Sequence, residues 1–228
     1  MPRRRKYARK KRRKRMPRRR ARRRRPRLVM GGFPTTKKVL LRYATTVSLN
    51  PGAGQIVKQQ YCANGMFDPD LSGVGHQPRG YDQWQNAYSH YTVIGSKITV
   101  KPYGPNARQS TSAPTMMYGV TLNRDDAFPW TTWTDLAESR FAGKGSAIHL
   151  NTADTKTKTR SFSAKKYFGA LQIGKGVYAG DVTKNPGETA VFQLWAGSPD
   201  GSDPAEQSFM IQIDYIAVFT EPHYIGQS

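Results

Sequence analysis

Residues 208–220, SFMIQIDYIAVFT, carry the clearest structural signal in the sequence. Apolar and mainly polar positions alternate along the stretch. One face holds Phe209, Ile211, Ile213 and Tyr215, and the opposite face holds Met210, Gln212 and Asp214. Because successive side chains of a strand point to opposite faces, this alternation predicts a half-buried β-strand. After Tyr215 both faces of the stretch become apolar.

Seven further segments share this character: they are rich in Val, Ile, Thr, Tyr and Phe, and loops with Gly, Pro, Asn and Asp separate them. The eight predicted strands are residues 37–49, 55–62, 90–103, 114–122, 146–151, 156–163, 188–197 and 207–221. Helical signals are short, at residues 81–88, 132–139 and 168–173. Two connections, of about 28 and about 23 residues, are too long for hairpin turns.

These elements predict an all-β protein, an eight-stranded double-sheet jelly roll. An immunoglobulin-like sandwich is the alternative, but that fold favours shorter loops and a pair of cysteines, and this chain has one Cys.

The first 27 residues, MPRRRKYARKKRRKRMPRRRARRRRPR, hold 19 of the 37 Lys and Arg and no Asp or Glu. The rest of the chain has 18 basic against 15 acidic residues, so most of the formal charge of +22 belongs to this segment. Self-repulsion and the lack of apolar residues predict an arm that is disordered by itself. The predicted organisation is a basic arm and hinge over residues 1–36 and a jelly-roll domain over residues 37–228.

Arginine dominates the arm, and the guanidinium group grips phosphate oxygens in a bidentate manner. Nucleic acid is therefore the expected partner, bound without sequence preference. Short basic runs of this kind also act as nuclear import signals. The candidate nucleic-acid-binding residues are Arg3, Arg4, Arg5, Lys6, Arg9, Lys10, Lys11, Arg12, Arg13, Lys14, Arg15, Arg18, Arg19, Arg20, Arg22, Arg23, Arg24, Arg25 and Arg27, followed in the first strand by Lys37, Lys38 and Arg42. Alternation places Lys38 and Arg42 on one face and Lys37 on the other, while Tyr43 is either a core residue or a platform for a base.

Patterns that would indicate an enzyme, a metal site or a membrane segment are weak. Cys62 has no partner for a disulfide, and the four histidines are dispersed. The run GALQIGKG at 169–176 has glycine where a phosphate-binding loop needs Ser or Thr. Asp68 and Asp70 are too few for a calcium cage. We therefore predict no enzymatic activity, no cofactor, no metal and no membrane insertion.

Two segments carry a resemblance to a known family. The first is NGMFDPDLSGVGHQPRGYDQWQNAYSHYTVIGSKITV at residues 64–100, most distinctive at GHQPRGYDQW, and the second is TRSFSAKKYFG at residues 159–169. With the arginine-rich arm and a jelly roll of about 200 residues, they resemble the capsid proteins of small circular single-stranded DNA viruses, the circovirus and cyclovirus group. The first segment is similar to the one that joins the third strand of that family's jelly roll to the next.

The resemblance implies a coat subunit that self-assembles into a small icosahedral shell of about 60 copies. It also implies that the arm packages the single-stranded DNA genome and serves as a nuclear localisation signal. The implied partners are that genome, other copies of the chain, nuclear import receptors and a cell-surface attachment factor. The implied locations are the virion and the host cell nucleus. The alternative is a cellular nucleic-acid-condensing or ribosomal-type RNA-binding protein, although the body is less basic than such proteins usually are.

The loop around residues 64–91 is rich in aromatic residues. Large aromatic and arginine side chains are typical anchors of subunit interfaces. The candidate interface residues are His76, Arg79, Tyr81, Trp84 and Tyr88. The alternative is that the aromatic rings pack into the core of their own subunit.

Overall fold

A computed structural model describes residues 32–103, 115–139, 156–169, 173–174, 176–181 and 183–224, and the backbone of residues 146–148. The arm lies outside these residues. The strands are β1 Thr36–Leu49, β2 Ile56–Cys62, β3 Tyr88–Tyr103, β4 Met116–Asn123, β5 Ser146–Ile148, β6 Lys158–Ser163, β7 Gly180–Asp181, β8 Val191–Gly197 and β9 Gln207–Pro222. The helices are α1 Tyr81–Gln85, α2 Trp133–Glu138 and α3 Ala164–Phe168, and a 3₁₀ turn covers Gly176–Tyr178.

The strands form two antiparallel sheets. The first sheet has the order β1-β9-β3-β6, with the two-residue β7 paired to the start of β3, and the second has the order β2-β8-β4-β5. Apart from β7, the first strand thus pairs with the last, the second with the next to last, and the fourth with the fifth. This is the strand order of a jelly roll, which confirms the predicted fold class.

Strand β9 lies at the centre of the first sheet, between β1 and β3. Its predicted apolar face, from Phe209 to Tyr215, is buried against the second sheet, whereas Met210 on the other face is half exposed. From Ala217 to Thr220 every residue is buried. The predicted alternation from Phe209 to Tyr215 is confirmed.

Fully buried tyrosines fill much of the space between the sheets and fasten the loop after β2. The Tyr215 hydroxyl donates to the carbonyl oxygen of Cys62 at 2.7 Å. The Met66 amide donates to the Tyr91 hydroxyl at 3.0 Å. Burial raises the pKa of both phenols, so both remain protonated. The start of the long β2–β3 connection is therefore part of the core.

Three details differ from the sequence predictions. Strand β7 was not predicted, because two residues carry no period. The third helix ends at Phe168 instead of beginning there, since Gly169 adopts a φ of 78° that terminates it. The segment 64–100 follows the second strand of this jelly roll and not the third. Residues 149–151 of the predicted fifth strand lie outside the described residues.

The connection after β4 covers the outer face of the second sheet. Trp195 and Leu136 are fully buried there, and the Trp133 ring lies 5.4 Å from that of Trp195. Helix α2 starts at this place because the Thr132 hydroxyl accepts a hydrogen bond from the Asp135 amide at 3.3 Å. None of the helices in the described ranges has the length and hydropathy needed to cross a bilayer.

Candidate nucleic-acid interface

The outward side of the first sheet carries the body's candidate nucleic-acid contacts. Along β1, Lys38 and Arg42 are exposed while Leu41 and Tyr43 are buried, as the alternation predicts. Tyr43 is a core residue with no exposed area, which corrects the possibility that it stacks on a base. Lys37 is exposed at the end of the strand but belongs to the opposite side.

Strand β3 adds two lysines to this surface. Lys97 and Lys101 are exposed, while Ile98 and Val100 between them are buried. With Lys38 and Arg42 they form a surface that we call the basic face. Sequence reasoning did not select Lys97 and Lys101, although the alternation of lysines with apolar residues was the signal that could have identified them.

One carboxylate lies among these cations. Asp214 on β9 is the register partner of Arg42 on one side and of Lys97 on the other. The Arg42 Nε donates to the Asp214 Oδ1 at 2.6 Å. Because the Arg42 side chain remains 60% exposed, the pair sits in solvent and contributes little to stability. The basic face thus keeps a net positive charge in its described strands.

The basic face also exposes apolar side chains. Leu40 and Ile216 are register partners, and both are exposed. A shallow groove of about 480 Å³ runs past Thr46, Lys101 and Met210. A surface that mixes cations with apolar groups suits a single strand, which presents both phosphates and base faces.

The five candidate interface residues separate into two groups. Tyr81 and Tyr88 are fully buried in the core, and Trp84 is half-buried with its ring 5.8 Å from that of Phe219. The rings of Tyr81 and Tyr88 are therefore removed from the candidate interface. Their burial depends on strands distant in sequence, so the loop sequence alone held no signal for it. His76 and Arg79 are exposed and remain candidates.

His76 fastens its loop to the first sheet. Its Nε2 lies 3.1 Å from the carbonyl oxygen of Ala44, and its Nδ1 lies 2.8 Å from that of Gln77. The ring also contacts Tyr43, with 4.8 Å between the centroids. The position of Arg79, three residues after His76, is therefore set by a loop held at a fixed point.

Outside the basic face, the side chains that could bind a metal ion or react as nucleophiles are buried or hydrogen-bonded within the fold. The Asp70 Oδ1 accepts from the Gln59 Nε2 at 2.6 Å and from the Ser72 amide at 3.0 Å. Cys62 is buried, and burial raises the pKa of its thiol to about 11. In the part of the chain that the structure describes, no three His, Cys, Asp or Glu side chains are placed to share a metal ion.

No protein-family model and no curated protein sequence matches the chain. Similar solved structures include the 60-mer of the capsid protein of BFDV, beak and feather disease virus, at 10% identity and a TM-score of 0.47, covering 86% of this chain and 100% of that one. Its decameric form has 10% identity and a TM-score of 0.46, covering 82% and 99%. The Macrobrachium rosenbergii nodavirus structure has 13% identity and a TM-score of 0.48, covering 88% and 58%. At these values the similarities do not decide the function, and the jelly-roll assignment stands on the strand order of this chain.

Proposed function

We propose that this chain is a viral coat subunit that assembles into a closed shell and packages single-stranded DNA through residues 1–27. One observation carries the proposal: a jelly roll whose first strand begins at Thr36, directly after a segment with 19 cations in 27 residues. The domain supplies a rigid body, and the arm supplies affinity for a polyanion. The identity of the polyanion as single-stranded DNA comes from the family resemblance.

The charge has a magnitude that suits a small genome. A shell of about 60 copies would bring about 1,100 arm cations into its interior, where they would neutralise on the order of a thousand phosphates. The basic face continues this charge, since β1 both follows the arm and carries Lys38 and Arg42. We therefore assign the basic face to the inside of the shell.

Replacing Lys38, Lys97 and Lys101 together by Gln is expected to weaken packaging while particles still form. Three phosphate contacts are lost, so the slope of log affinity against log salt for single strands should become shallower by about 2. The ratio of absorbance at 260 and 280 nm of purified particles measures packaging, and salt titration of binding to an oligonucleotide measures the slope.

The matched control removes the same number of positive charges outside the basic face. It replaces the exposed residues Lys156, Lys165 and Lys166 by Gln. Arg42 is left intact because its removal would strip Asp214 of its ion pair. Equal losses of packaging in both variants would contradict a specific role for the basic face. Failed assembly with unchanged nucleic-acid affinity would assign the face to a contact between subunits instead.

The arm should also direct the chain to the nucleus. Fusing residues 1–27 to an inert cytosolic reporter is expected to concentrate the reporter in the nucleus, because clustered Lys and Arg bind import receptors. Fluorescence microscopy gives the nuclear fraction. A fusion in which every Lys and Arg of the arm is replaced by Gln is the control, and diffuse signal from the intact arm would contradict the assignment.

A further inference from the structure

A cleft of about 570 Å³ opens beside the end of β4, and it is lined by none of the nucleic-acid or interface residues named above. Asn123 and Arg124 line it, together with Pro129 and the aromatic side chains of Trp130 and Tyr167. Asp125 and Ala127 complete the lining, so two large aromatic residues, an exposed cation, an exposed carboxylate and a buried amide meet at one concave site. This combination is typical of a small-molecule or nucleotide pocket.

The amide of Asn123 is held in one orientation. The Gln193 Nε2 donates to the carbonyl oxygens of Ala127 at 2.9 Å and of Asp125 at 3.4 Å, so the side chain of Gln193 cannot be reversed. Its Oε1 then accepts from Thr121 Oγ1 at 3.2 Å and from Asn123 Nδ2 at 2.5 Å. Asn123, only 7% exposed, is left with an Oδ1 that has no hydrogen-bond partner. This oxygen is itself shielded from solvent, so it fixes the wall of the cleft and is not open to a ligand.

The opposite wall of the cleft is also fixed. The Tyr167 ring makes edge contacts with Phe162 and Phe168, at centroid distances of 5.6 Å and 5.2 Å. Burial raises the pKa of the Tyr167 phenol to about 12, with Arg124 acting to lower it and Asp125 to raise it. The phenol is therefore neutral near pH 7, and the exposed guanidinium of Arg124 supplies positive charge beside it.

We propose that this cleft binds one unpaired nucleobase of the packaged single strand. Trp130 and Tyr167 offer the planar surfaces on which bases stack. Arg124 contacts the adjoining phosphate. In a duplex the faces of the bases are covered by their stacked neighbours, so the cleft selects single strands. This inference rests on the proposed function.

The topology places the cleft at the end of the sandwich where β1 begins. β9 is antiparallel to both β1 and β3, and β6 is antiparallel to β3. The start of β1 and the end of β6 therefore lie at the same end of the first sheet. Helix α3, which carries Tyr167, follows β6 directly, and residues 1–31 precede β1. The first strand therefore begins at the end of the sandwich that contains the cleft.

Photocrosslinking of the full-length chain tests the proposal. The probe is a single-stranded oligonucleotide that carries 5-bromouracil, irradiated with the protein at near-physiological salt, and crosslinked peptides are mapped by mass spectrometry. We expect crosslinks at Trp130 or Tyr167 in addition to those in the arm, and none in the cleft with the same probe in a duplex. An oligonucleotide of abasic sites should displace the probe from the arm but not from the cleft.

Variants separate the cleft from general charge. Arg124→Gln and Trp130→Leu should each lower the cleft crosslink about tenfold. Lys156→Gln, which removes one charge before the start of β6 at the other end of the sandwich, should leave it unchanged. Since Arg124 is exposed, its replacement does not threaten folding.

Crosslinks confined to the arm would overturn the inference and leave the proposed function standing. If the abasic strand displaces the probe from the cleft as well as from the arm, the cleft contacts only phosphates. That result would also overturn the inference. The cleft could crosslink in free subunits and yet be shielded in assembled shells that lack nucleic acid. In that case the cleft is a contact between subunits. Loss of crosslinks from both arm and cleft would contradict the proposed function itself.

Discussion

Deleting residues 1–27 is expected to lower affinity for single-stranded DNA by about three orders of magnitude or more at near-physiological salt. The arm carries 19 of the cations, while the remaining chain has 18 basic against 15 acidic residues. In the intact chain, log affinity should fall with log salt at a slope of about −0.7 per phosphate contacted, hence about −7 for ten contacts. Fluorescence anisotropy with a labelled oligonucleotide across a salt series measures both quantities.

The deletion should leave the strand content unchanged, because all strands and core residues that the structure describes lie after residue 31. Circular dichroism of the shortened chain checks this point. A version in which each arginine of the arm becomes lysine keeps the charge and is the matched control. It should retain the salt slope, although it loses bidentate phosphate contacts. An affinity that does not depend on salt, or that survives the deletion, would show that the electrostatic account of the arm is wrong.

Trp195→Ala is expected to lower the free energy of unfolding by about 3–5 kcal/mol. The indole is fully buried on the outer face of the second sheet, beneath Trp133 and Leu136. Its removal leaves a cavity that the strand backbone cannot fill. Urea unfolding of subunits kept in the dissociated state measures the loss without a contribution from assembly.

Gly119 on the neighbouring strand β4 provides a second test of the packing around Trp195. It is the register partner of Trp195, and a Cβ at this position would lie 2.5 Å from the indole Cζ2. Gly119→Ala should therefore cost about 1–3 kcal/mol through overpacking. Gly187→Ala is the matched control, since its Cβ would lie 3.7 Å from the Val177 side chain. Equal stability of both glycine variants would contradict this description of the cluster.

Periodicity was enough to predict the jelly roll, because each long strand has one face toward the core. The alternation through Phe209 and Tyr215 defined β9, and it placed Lys38 and Arg42 together correctly. What it could not supply was the partner of each strand. The pairing of Arg42 with Asp214 joins residues 172 positions apart, and no local pattern marks it.

The aromatic loop shows the same limit more clearly. Tyr81 and Tyr88 are of a residue type that is common at subunit interfaces, yet both are buried within their own subunit. Tyr88 contacts Phe219 of β9, which lies far along the chain. The cleft is a further case, since the orientation of the Asn123 amide is set by Gln193 of β8, 70 positions along the chain. Sites of this kind arise from tertiary contacts and therefore require the fold.

Assembly is the most direct test of the proposed coat function. Purified full-length chain, with and without single-stranded DNA at near-physiological salt, is examined by sedimentation velocity and negative-stain electron microscopy. We predict closed particles of uniform diameter that sediment far faster than a 25.6 kDa monomer. A chain that remains a stable monomer under all of these conditions would contradict the account.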